Sequence, residues 1–188
     1  MGKPSSYCQA VMQMEPDNPH GIYDDTQDGF PILDDDELFG RLILEINQAV
    51  FSWTTILNKQ ENFKKVYHEF KIKKIAAYNE KDRERLLEDA GIIRNILKVD
   101  AAIHSANIIL GRQKEEGSFK NWLDNQHPKI KAEWTSLFKK TFRFTGGEIV
   151  NEFLMSTGYL QGAHEKGCEI YEKVIESKPK WMECLEFY

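Results

Sequence analysis

Four groups of residues have the types and spacing to do chemistry. Glu45 stands inside the apolar run LILEINQAVFSWTTIL. A carboxylate withdrawn from water needs a cationic or hydrogen-bonding neighbour. Glu45 therefore either lines a pocket for a cationic or donor-bearing ligand, or pairs with an arginine or a backbone amide. Trp53 follows eight residues later; on a continuous helix that is a rotation of about 80°, which puts indole and carboxylate on one side. His164 and Cys168 have the i,i+4 spacing that places two metal ligands on one helix face. Cys8 offers a third ligand from the other end of the chain, and either Asp24 or His20 a fourth. The plain alternative is a surface histidine and a buried free thiol. In LLEDAGIIRNILK, Gly91 suits a left-handed turn between two helices. Such a turn presents backbone N–H groups and a helix N-terminus to a phosphate, with Arg94 and Lys98 adding charge. An ordinary helix–turn–helix connection is the commoner use of such a segment. Tyr23, in the polar stretch GIYDDTQDGFP, offers an aromatic wall for a planar ring, or simple packing.

The elements that must position these groups read as helices joined by short loops. The chain has 188 residues, 41% hydrophobic and 12% aromatic, enough to bury a core as one domain over residues 1–188. Residues 1–33 are rich in proline and glycine and read mainly as loop. Asp34, Asp35 and Asp36 then stand at the positive end of a helix whose apolar stripe runs Leu38, Phe39, Leu42, Ile43, Ile46, Ala49, Val50 and Trp53. Further helices are expected over 61–70, on both sides of Asp89–Gly91, and over 118–123, 130–139, 147–156 and 166–176. No stretch alternates with period two, so the fold class is all-α.

Composition narrows the function classes. No apolar run approaches membrane-spanning length, and the N-terminus lacks the basic and apolar regions of a signal peptide. Three cysteines, an odd number, argue against a disulfide framework and for a cytoplasmic chain with thiols or a metal site. The net charge of −5 disfavours nucleic acid, but it is uneven. Acids concentrate over 15–37, while Lys129, Lys131, Lys139, Lys140 and Arg143 form a basic run. A local basic face can hold DNA on an acidic protein, although solvated surface explains both runs as well.

The blocks YDDTQDGFPILDDDELFGRLILEINQAVFSWTTIL, LLEDAGIIRNILK and FRFTGGEIVNEFLMSTGYLQGAHEKGC, with their spacing, resemble the DNA-3-methyladenine glycosylase I family. The likeness spans Tyr7 to Cys168. It implies the compact helical fold of the helix-hairpin-helix DNA glycosylases. It also implies the activity: flipping an alkylated adenine out of double-stranded DNA and hydrolysing its N-glycosidic bond. By this resemblance Glu45 is the base-recognising, catalytic glutamate, and Tyr23 and Trp53 stack on the flipped base. Gly91, Arg94 and Lys98 belong to the DNA-backbone turn. Cys8, His164 and Cys168 are three of four ligands to a structural zinc, which joins the 1–33 segment to the C-terminal ligand region. Asp100 is not assigned the role of the catalytic aspartate that follows the hairpin in related glycosylases.

Five positions depart from the family. Asp24 replaces its histidine, the fourth zinc ligand, and Asp28 an aromatic residue. Val50 and Phe51 stand where glycine then leucine are usual, and Ile96 where a basic or polar residue is usual. The two acids are expected near the pocket mouth, where they repel phosphate. Val50 and Phe51 are expected to crowd the pocket. The alternative function this raises is a non-catalytic or redesigned scaffold that binds another protein through Asp24, Asp28, Val50, Phe51 and Ile96.

Overall fold

A computed structural model describes residues 7–15 and 17–187. Among these, every regular element is helical, as the sequence pattern predicts. In chain order they are α1 (Tyr7–Val11), α2 (Pro19–Thr26), α3 (Asp35–Gln48), α4 (Trp53–Leu57), α5 (Gln60–Val66), α6 (Ile72–Ala76), α7 (Glu80–Glu88), α8 (Ile96–Glu116), α9 (Phe119–Gln126), α10 (Lys131–Thr141), α11 (Gly147–Ser156), α12 (Glu169–Glu176) and a 3₁₀ segment, Lys180–Phe187. The chain divides into two compact units, Met1–Pro31 with Leu154–Tyr188, and Ile32–Phe153.

The unit Ile32–Phe153 is organised on α3, which is buried on all sides from Leu38 to Asn47. Its acidic start is spent on helix caps. Asp34 accepts from the Glu37 amide at the head of α3. Asp35 accepts from the Phe119 and Lys120 amides, at 2.7 and 3.0 Å, and so caps α9. Asp36 accepts from the Ile72 amide at 2.8 Å and caps α6. Three consecutive aspartates thus satisfy orphan N–H groups at three helix starts. Phe119, Trp122, Phe138, Phe142 and Phe153 pack ring to ring, each burying an area worth about 2–3 kcal/mol. α8 packs along α6, α7, α9 and α3.

The helix drawn through Trp53 from sequence stops short. α3 ends at Gln48, Ala49 is its C-cap, and α4 opens at Trp53 behind the Ser52 cap. The apolar spacing carries on through Ala49 and Val50, but the backbone turns there, with Val50 at φ +70°.

In the other unit, α1 and α2 form where the sequence read as loop. Pro19 starts α2 rather than breaking it, because its missing N–H costs nothing at the first helical position. Asn18 accepts from the His20 amide to complete the cap. Gly29, at φ +79°, is pressed against Ala163 and His164, so close that a Cβ would stand 3.0 Å from Ala163 Cβ.

Candidate functional site

In the unit of Met1–Pro31 and Leu154–Tyr188, Cys8, Asp24, His164 and Cys168 converge. Their ligand atoms all lie within 4.8 Å of one another. His164 Nδ1 stands 3.4 Å from Cys8 Sγ, 3.8 Å from Cys168 Sγ and 3.9 Å from Asp24 Oδ1. Tetrahedral zinc with sulfur, nitrogen and oxygen ligands has ligand–ligand edges of about 3.3–3.8 Å, close to these separations. His164 Nε2–H donates to the Asp28 carbonyl at 2.9 Å. A carbonyl only accepts, so the tautomer is fixed and the Nδ1 lone pair faces the cluster. Asp24 is only 3% exposed, and its Oδ1 has no hydrogen-bond partner among the described residues. A buried carboxylate oxygen of this kind calls for a cation. Burial pushes the Cys8 thiol up to about 12 and raises Asp24 as well. The residues therefore fit a divalent ion that takes the place of protons. His20, the other candidate ligand, is instead bonded to the Tyr7 hydroxyl at 2.8 Å.

Tyr23 is buried on α2, next to Asp24. Its carbonyl accepts from the Gln27 and Asp28 amides, which forms the turn that aims the Asp28 carbonyl at His164.

In the unit Ile32–Phe153, Glu45 is 3% exposed on the last turns of α3. Trp53 is half-buried at the head of α4, which packs on α3. Between them, Val50 is 96% exposed and in the left-handed region. That conformation costs a β-branched residue about 1–2 kcal/mol. Replacing Val50 by glycine relieves this strain, offset in part by glycine's entropy, so Val50→Gly is expected to raise stability by about 0.5–1 kcal/mol. The urea midpoint should rise with an unchanged slope.

Lys98, expected at a DNA phosphate, points inward. It is 1% exposed, and Nζ donates to the Asn47 and Ala49 carbonyls at 2.9 and 2.7 Å. Its ammonium also stands 5.0 Å from the Phe51 ring centre. Loss of hydration pulls its pKa down to about 8. An unfolded lysine titrates near pH 10.4, so the unfolded chain binds more protons above pH 8. Stability through Lys98 therefore increases as pH climbs from about 8 to 10.4. Urea titrations of the wild type and Lys98→Met should show their difference moving in the wild type's favour across that window.

The turn Asp89–Arg94 is held from within. Asp89 Oδ1 accepts from the Gly91 amide at 2.7 Å and from Asn62 Nδ2 at 3.2 Å, and Lys59 Nζ reaches the Ala90 carbonyl. Gly91 is not left-handed; a Cβ there would meet the end of the Asn62 side chain, which would have to swing aside. Arg94 is exposed, and Ile96, half-exposed, opens α8. Asp100 is taken by Arg83, Nε to Oδ1 at 2.6 Å. The two helices expected around the basic run form a second helix pair. α10 and α11 are joined by residues 142–146, with Lys139, Lys140 and Arg143 exposed around the turn.

Residues 14–137 match the methyladenine glycosylase family. DNA-3-methyladenine glycosylase 1 of Escherichia coli (strain K12) is 33% identical over 168 residues, covering 79% of this chain and 89% of the relative. This chain belongs to the DNA-3-methyladenine glycosylase I family. A crystal structure of 3-methyladenine DNA glycosylase I matches with a TM-score of 0.74 at 30% identity, over 84% of this chain and 96% of that one. A Staphylococcus aureus structure, described as the structural basis of 3-methyladenine recognition by that enzyme, matches at 0.74 and 27% identity, over 83% and 93%.

Set against the glycosylase family, the five departures fall in both units. Asp24 and Asp28 are buried around His164 and are not acids at an open mouth. Val50 is almost wholly exposed, whereas the Phe51 ring packs over the buried Lys98 ammonium, and both line a cavity with Gly146 and Ile149. The partner surface expected from sequence thus loses both of its acids, because both are buried.

Proposed function

We propose that this chain excises N3-alkylated adenine from DNA by hydrolysing the N-glycosidic bond, the base-removal step of excision repair. The observation that carries the reading is Glu45, a carboxylate buried on the central helix of a chain of this family. Alkylation at N3 makes adenine cationic and weakens its bond to the sugar. A cationic ring is held by a carboxylate and by aromatic faces, the roles proposed for Glu45 and Trp53. With so good a leaving group, extrusion and tight binding of the flipped base supply most of the catalysis. Exposed Arg94, Arg143, Lys139 and Lys140 are the cations offered to the backbone of double-stranded DNA, and the start of α11 adds its N–H groups.

Cys8, Asp24, His164 and Cys168 are proposed to hold a zinc ion. Bound there, zinc closes a structural site without an open position. The support is the four-atom cluster and the orphaned Asp24 oxygen. The ligands come from α1, from α2 and from the segment before α12, so the ion fixes α2 and with it Tyr23. No described helix is long and apolar enough to cross a membrane.

Incubation with methylated duplex DNA tests the activity. Free 3-methyladenine in the supernatant supports it, and none at equimolar protein contradicts it.

A further inference from the structure

We propose that Lys98 is a positioning residue, an internal clamp that holds the Ala49–Ser52 turn and so sets where Trp53 stands relative to Glu45. The inference rests on the glycosylase reading for its catalytic consequence, but its structural part stands on geometry alone.

Lys98 is fully enclosed, and no carboxylate among the described residues forms an ion pair with it. Its partners are two carbonyl oxygens and two rings: Asn47 and Ala49 at 2.9 and 2.7 Å, and Phe51 and Phe144 at 5.0 and 5.7 Å to the ring centres. An unpaired buried ammonium is expensive, and an apolar side chain of the same length would fill the space at lower cost. What the ammonium adds is its donors. The carbonyls at the end of a helix have no partner within the helix, and Lys98 supplies one to each side of the last residue of α3.

The turn it grips is otherwise poorly held. Val50 sits at φ +70° with almost its whole side chain in solvent, so packing does not impose that conformation. Within the turn, the Phe51 amide donates to the Gln48 carbonyl at 2.7 Å. Glu45 lies just before the turn and Trp53 just after it, so the path of these four residues decides the relation between carboxylate and indole. Phe144, itself left-handed at φ +59°, rests on the same ammonium. Lys98 thereby ties the end of α3 and the start of α8 to the turn between α10 and α11.

The test uses Lys98→Met alone and combined with Val50→Gly, because glycine holds a positive φ without help. Two readouts are taken: single-turnover release of 3-methyladenine from methylated DNA, and hydrogen exchange at the Phe51 amide. Lys98→Met is expected to slow release by about 10–100-fold, the scale of a small displacement in a site. It is also expected to speed Phe51 exchange by at least about tenfold while the amides of α8 keep their protection. Adding Val50→Gly should recover most of both losses. Unchanged Phe51 exchange in Lys98→Met overturns the clamp. So does a loss that spreads over α3 and α8 and is not relieved by Val50→Gly, which would mark general packing. If Lys98→Met does not fold, Lys98→Gln, with one amide donor group, is read for the same two signs. Exchange is measured without DNA, so failure of the clamp is distinguishable from absence of base release in the wild type.

Discussion

Glu45→Gln is expected to lower the single-turnover rate of 3-methyladenine release by at least about 100-fold, or roughly 2.7 kcal/mol of transition-state stabilisation. The amide keeps the shape and hydrogen-bonding reach of the carboxylate but loses its charge. A cationic base held in a site closed to water feels that charge with little screening. Glu45 is 3% exposed, so the melting temperature is read beside the rate, which separates the loss of charge from a folding defect. A rate within tenfold of the wild type, from a protein with an unchanged melting temperature, would mean that the carboxylate charge is not what the base meets.

The second large effect concerns the metal. Protein purified without chelator is expected to carry about one equivalent of zinc, and Asp24→Ala less than about half. The loss should lower the unfolding temperature by roughly 5–10 °C, corresponding to about 2–3 kcal/mol in a chain of this size. Asp24→His, which installs the ligand usual in the family, should retain the full equivalent. Plasma emission spectrometry and a thermal melt read both quantities. Equal zinc in Asp24→Ala and the wild type would remove Asp24 from the ligand set and leave its buried oxygen unexplained.

The elements were legible where local pattern decides them. Helix α11 was read from sequence with its observed bounds, and the break between α7 and α8 was placed at its first residues, Asp89–Gly91, although it runs on to Asn95. His164 and Cys168 do meet, but not on the shared helix face that their i,i+4 spacing suggested: residues 161–168 are turns before α12, and Cys168 is its extended N-cap. The choice between His20 and Asp24 was not legible. These two are themselves i,i+4 on α2, so periodicity gives both the same face; the Tyr7 hydroxyl and the thiols separate them. The capping work of Asp35 was hidden because its partners lie 84 and 85 residues away. Only Asp34 acts locally.

Lys98 was misread although the pattern was there. It shares a helical face with Ala102, Ser105 and Ile109, all buried, so periodicity alone turns it inward. Its place after a glycine turn drew the phosphate reading instead. Val50 failed for the opposite reason. Ala49 and Val50 continue the apolar spacing of α3, and nothing local says that the chain turns there. Val50 stands where glycine is usual in the family, and Lys98 holds the Ala49 carbonyl just before it.

Release of 3-methyladenine from DNA is the activity on which the other predictions depend. The most direct measurement is chromatography of the bases freed when excess protein is mixed with a methylated duplex, with an unmethylated duplex of the same sequence as control. 3-Methyladenine is expected from the methylated duplex alone, rising as a single exponential. No free 3-methyladenine, from folded and zinc-replete protein in excess over sites, would contradict it.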